Sequence, residues 1–109
     1  MKNAVIKIFC YGTLQEPRVQ LDLIGRIVTG HLTSINGYVV LRDYVDVEDG
    51  IAYPRIVPME NGCVYGRILE FTSEEVELLN AYETDMYTLE YILTSDNKLV
   101  KVYMPTNKH

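Results

Sequence analysis

The connections between its extended runs constrain this chain most. Seven stretches rich in β-branched and aromatic residues read as strands: Ala4–Tyr11, Arg26–Ser34, Tyr38–Tyr44, Ile51–Val57, Cys63–Phe71, Met86–Thr94 and Leu99–Met104. Asn36-Gly37 is hairpin chemistry, Met59–Gly62 (MENG) is a turn, and Ser95–Lys98 joins the last pair. Most of these joins are too short for a parallel crossover, which takes about a dozen residues or more. The sheet is therefore expected to be mainly antiparallel and curled or closed like a barrel. Gly30 reads as a bulge, and Pro54 places Ile51–Val57 at an edge or in an irregular stretch.

Two helices interrupt the strands. Pro17 suits a first helical turn and Gly25 suits a helix end, with Val19, Leu21, Leu23 and Ile24 between them. Thr72–Glu75 (TSEE) is a capping-box pattern, and a helix follows through about Glu83. The order β-α-β-β-β-β-α-β-β gives an α+β fold with two helices. No repeat or linker divides residues 1–109, and a chain of this length supplies one core, so a single domain is expected.

Charge narrows the partners. The net charge is −5 and the pI about 4.9, so phosphate backbones and anionic membrane surfaces are unfavourable partners. Two cysteines make no disulfide framework, and no apolar run reaches the length of a membrane span. Lys7 breaks the N-terminal apolar run, as a signal peptide would not. These features point to a reduced, cytoplasmic protein. Edge strands leave monomer and homodimer both open.

One acid is out of pattern. At about 100° per residue, Val76 and Leu79 share one face of the second helix, and Leu78 and Tyr82 extend it. Glu83, two turns after Val76, falls on that apolar arc, whereas Glu74, Glu75 and Glu77 suit a solvated first turn. A carboxylate facing a core must be paired, be raised in pKa, or sit at the mouth of a cavity. Fraying of the helix end is the plainer reading.

Other chemistry is weakly supported. Cys10 as a nucleophile needs a base, and His31 is the internal histidine, but core packing explains Cys10 more simply. No metal-ligand spacing or phosphate loop occurs, and Asp43–Gly50 puts valines at ligand positions of a calcium loop. Neither a metal nor a cofactor is expected.

A set of segments in order then carries a family likeness: Phe9–Leu14 (FCYGTL), Pro17–Arg26 (PRVQLDLIGR), Tyr53–Pro58 (YPRIVP), Gly62–Leu69 (GCVYGRIL) and Leu78–Tyr87 (LLNAYETDMY). Together they resemble the gamma-glutamylcyclotransferase-like family. The resemblance implies release of 5-oxoproline from γ-glutamyl amines or amino acids without a cofactor, with Glu83 as general acid and base. It implies that Tyr11, Gly12, Thr13 and Leu14 form the substrate-binding loop, with Tyr53 and Tyr87 as further binding residues. Asn80 stands where the family often has Asp, and Leu89 where many members have Arg. A non-catalytic module that binds a small acid or peptide end is the alternative.

Overall fold

The computed structural model describes residues 4–41 and 55–106. The described residues form β1 (Val5–Cys10), a 3-10 turn (Thr13–Gln15), α1 (Pro17–Ile24), β2 (His31–Leu41), β3 (Arg55–Thr72), α2 (Ser73–Glu83), a second 3-10 turn (Thr84–Met86), β4 (Tyr87–Leu93) and β5 (Leu99–Pro105). One five-stranded sheet has the order β2-β3-β1-β5-β4. All neighbours are antiparallel except β1 and β5, which run parallel. The α+β class and the mainly antiparallel, curled sheet agree with the reading above.

The strand count differs. β2 runs through Asn36-Gly37 instead of turning there, and β3 runs through Met59–Gly62. The register instead jumps, from Asn36 opposite Cys63 to Tyr38 opposite Pro58. Gly37 (φ 88°) and Asn61 (φ 64°) take the left-handed backbone that both a tight turn and a bulge require. The turn chemistry was read correctly; it serves an irregularity between paired strands and does not reverse the chain. β3 is interior where β1 pairs with it, at Arg67–Thr72, whereas Arg55–Val57 pairs with β2 alone, next to the register jump. The Asp43–Gly50 loop, Ile51–Pro54 and Tyr53 with them lie outside the described residues.

Alternation along the strands builds two apolar layers. Ile8, Cys10, Leu69, Phe71 and Tyr103 face the helices and pack with Val76, Leu79 and Leu14. Phe9, Ile35, Ile56, Val64, Ile68, Val100 and Val102 form a second cluster on the opposite face, joined by Ile92. Side chains from all five strands can meet there because the sheet curls into a half-barrel. Hydrogen bonds fasten the curl: Ser95 N–H donates to the Ser34 carbonyl (2.8 Å), the two serine hydroxyls pair (2.7 Å), and Thr33 donates to Asp96 (2.8 Å). These tie the β2 edge to the β4–β5 turn.

The helices end where local chemistry predicts. Pro17 opens α1, and Gly25 closes it in the left-handed region (φ 75°) with its N–H on the Leu21 carbonyl. Within α1, however, Leu21 is about half exposed and Gln20 is buried. Gly30 is not a bulge: a Cβ there would lie 1.8 Å from the Ile68 carbonyl oxygen, so the chain crosses β3 at a distance only glycine permits. On α2, Val76 and Leu79 are buried, but Leu78 and Tyr82 lie outside the buried stripe.

The capping box at the start of α2 is complete. Thr72 Oγ1 accepts from Glu75 N–H (3.1 Å) and Glu75 returns to Thr72 N–H (2.9 Å). Glu75 is not merely solvated, since Arg26 also donates to both of its carboxylate oxygens (2.6 and 2.7 Å). That pairing, ahead of the Thr72 bonds, holds its carboxyl below the usual glutamate range. Thr72→Ala is expected to cost about 1 kcal/mol and to lower Tm by about 5 °C in a calorimetric scan. An unchanged Tm would show that the cap contributes nothing.

Candidate active site

The site lies where β1 stops. β1 delivers Tyr11 at the sheet's end, and a 3-10 turn follows at once. Two bonds close that turn: Gln15 N–H to the Gly12 carbonyl (3.2 Å) and Glu16 N–H to the Thr13 carbonyl (2.9 Å). Leu14, 4% exposed, anchors it in the helix-side core. Buried Gln20 clamps it from beneath: its amide donates to the Leu14 carbonyl (2.8 Å) and its oxygen accepts from Val28 N–H (2.8 Å). Gln20 was missed in the sequence because a single polar residue in a short helix reads as solvated.

Gly12 (φ −130°, ψ −143°) faces open space: a Cβ added there would meet no heavy atom within 4 Å. The space in front of it belongs to a cavity of about 340 Å³. Phe9, Cys10, Leu14 and Tyr103 form its buried floor. Half-buried Tyr11, Gly12, Glu83 and Tyr87 make the walls, and exposed Thr13, Tyr82 and Thr84 stand at the mouth.

The phase of α2 brings Glu83 to this wall on the side of Val76 and Leu79. Loss of water around its carboxyl raises the pKa from 4.5 to about 7. Its charge is felt by its neighbours. Burial first, and then Glu83, push the Cys10 thiol and the Tyr103 phenol upward; for Tyr11, burial, Tyr87 and Glu83 act in that order. Cys10 stays a thiol, donating to the Ile8 carbonyl (3.7 Å), while His31 is exposed on β2. No nucleophilic cysteine pair forms.

Hydrogen bonds join the elements around the cavity. The Tyr11 hydroxyl donates to the Tyr103 carbonyl (3.0 Å), and the Tyr103 hydroxyl donates to Asn80 Oδ1 (2.7 Å) one turn before Glu83. Thr13 Oγ1 and the Tyr82 hydroxyl pair at 2.8 Å. Leu89 packs partly buried against the helix-side core.

The end of α2 is strained. Thr84 takes φ 62° and ψ −169°, a region that glycine occupies and β-branched residues avoid, at a cost of about 1–3 kcal/mol. Its N–H still bonds the Asn80 carbonyl, so the helix ends abruptly after Glu83.

The structure thus gathers Tyr11, Gly12, Thr13, Leu14, Glu83 and Tyr87 around one cavity, while Tyr53 lies outside the described residues. Tyr82, Thr84 and Tyr103 join them without having been singled out as site residues. Tyr103 carried no signal beyond strand alternation, and Tyr82 had been assigned to the apolar face. Among the described residues no group of three or more His, Cys, Asp or Glu side chains could hold a metal ion. No described helix is long and apolar enough to cross a membrane.

A curled α+β half-barrel with a pocket bearing Glu83 at the end of its first strand defines the class. Residues 8–109 match the family described as gamma-glutamyl cyclotransferase, AIG2-like, and the chain belongs to that family. AIG2-like protein C of Arabidopsis thaliana is 32% identical over 112 residues, covering 97% of this chain and 62% of that protein. The chain spans about three fifths of the length of the curated relatives it matches. Another Arabidopsis thaliana protein, solved in solution, is 34% identical with a TM-score of 0.70, covering 96% of this chain and 71% of that one. A solved protein named gamma-glutamyl cyclotransferase shares the fold, with a TM-score of 0.72 at 14% identity over 97% of this chain and 69% of its own.

Proposed function

We propose that the protein is a γ-glutamyl cyclotransferase that releases 5-oxoproline and an amine from a γ-glutamyl amine or γ-glutamyl amino acid. The observation that carries this reading is the position of Glu83: its carboxyl group is drawn out of water, which raises its pKa, on the wall of the cavity that Tyr11–Leu14 also line. The family membership and the solved relative's name support it.

The chemistry needs little from the protein. The substrate's α-amino nitrogen attacks its own γ-carbonyl carbon and closes a five-membered ring. The bond from that carbon to the leaving nitrogen then breaks. The α-ammonium group first gives up one proton to solvent and becomes the neutral amine that attacks. Glu83, as carboxylate, takes the second proton from that nitrogen as the ring closes and, as carboxylic acid, gives it to the departing amine. A pKa near neutrality suits both halves, because each form is then well populated. The first amides of the turn after β1 lack helical partners, as at any helix start. In this proposal they stabilise the oxygen that gains charge at the γ-carbon. The cavity holds the substrate folded, so that nitrogen and carbon meet as neighbours within one molecule.

An assay of 5-oxoproline release over a panel of γ-glutamyl amines and dipeptides tests the proposal. A further expectation concerns the loop. Gly12→Val fills the open space before Gly12 and is expected to weaken binding of a γ-glutamyl ligand at least tenfold by calorimetry, with Tm changed by only a few degrees. Full-strength binding by that variant would remove the loop from the site.

A further inference from the structure

The pocket has a graded depth. Cys10 and Tyr103 close its floor, 3% and 4% exposed, whereas Tyr82 at the mouth is 42% exposed. Glu83 lies between them. With the turn amides and the closed floor at one end, a molecule held there has one open direction for a group of variable size, outward past the mouth.

That mouth is built. The Tyr82 hydroxyl reaches across it to Thr13 Oγ1 at 2.8 Å, joining the last turn of α2 to the loop after β1. Beside it stands Thr84, in a backbone region that favours glycine (φ 62°, ψ −169°). Glycine would end the helix there without strain, and threonine instead places a branched side chain on the rim next to Glu83. Its hydroxyl accepts from Met86 N–H (3.3 Å), which holds the branch in place.

We propose that Tyr82 and Thr84 are specificity-determining residues that limit the size of the leaving amine. This rests on the cyclotransferase reading above. The Tyr82–Thr13 bond acts as a strap over the opening and Thr84 narrows the same opening from the helix side. Small amines leave freely; bulky ones meet the strap and the branch.

The test compares kcat/KM for the γ-glutamyl amides of methylamine and benzylamine, read as 5-oxoproline release, in the full chain. Tyr82→Ala is expected to raise the benzylamide-to-methylamide ratio about tenfold. Thr84→Gly is expected to raise it several-fold and to raise Tm by relieving backbone strain. Tyr82→Phe, which removes only the strap's hydroxyl, falls between the parent and Tyr82→Ala. A purely structural role would lower both rates together and leave the ratio unmoved. The same ratio is read as Kd values in the Glu83→Gln background, so the rim is tested separately from the chemistry. Turnover by Glu83→Gln at the parent rate would refute the catalytic reading while leaving the rim ratios to stand. Ratios within twofold of the parent in both Tyr82→Ala and Thr84→Gly would overturn the rim proposal. Failure of the parent to bind either amide would overturn both.

Discussion

Glu83→Gln is expected to lower 5-oxoproline release by about 10²–10⁴-fold, the usual range for removing a positioned acid–base group. Glutamine keeps the shape of the side chain and its place in the wall but has no proton to exchange near neutral pH. The loss should fall on kcat more than on KM, because the cavity, and not the carboxyl, is proposed to hold the substrate. The residual rate should also lose any pH dependence centred near 7, since the titrating group is gone. Turnover within tenfold of the parent would place the proton transfer elsewhere.

The same substitution should make the protein more stable at neutral and alkaline pH. In the unfolded chain Glu83 titrates near its ordinary 4.5, and in the folded chain near 7 because burial disfavours the charged form. Between those values the folded state holds a proton that the unfolded state has released. Stability therefore falls as pH rises through this window, at about 1.4 kcal/mol per unit, and stays lower above it. The whole penalty is at most about 3 kcal/mol, reduced where solvent reaches the carboxyl through the mouth. Glu83→Gln carries no such penalty. Urea titrations should show the variant ahead by about 2–3 kcal/mol at pH 8 and level with the parent at pH 4, apart from a pH-independent offset. A gap that does not vary with pH would mean that the carboxyl is not desolvated in the folded state.

Much of the fold was legible because its signals are local. Thr72 with Glu75, Pro17 at a helix start and Gly25 at a helix end each act within one turn of chain, and each does what its chemistry predicts. The failures share one cause. Asn36-Gly37 and Asn61 supply left-handed backbone, and whether that makes a hairpin or a bulge depends on the partner strand, which local sequence does not identify. Gly30 was misread for a related reason, since the Ile68 carbonyl it touches lies far along the chain.

The candidate site divides in the same way. Glu83 stood out because a charged residue at an apolar helical phase breaks a periodic rule. The Tyr11–Leu14 loop stood out on motif resemblance, and the structure places open space before Gly12. Gln20 gave no such sign, because its partners, Leu14 and Val28, are brought to it only by the fold. Asn80 Oδ1 accepts from the Tyr103 hydroxyl and so braces the site, a contact that an Asp oxygen could make equally well. The strain at Thr84 has no sequence signature at all, since threonine is the residue least expected in that conformation.

The role proposed for Glu83 requires its carboxyl group to titrate well above the ordinary glutamate range. Carbon-13 NMR titration of the Glu83 side-chain carboxyl in the folded protein measures this directly, with Glu83→Gln identifying the resonance. A midpoint near 7 is the predicted result. A midpoint near 4.5, the value of a freely solvated glutamate, would contradict it.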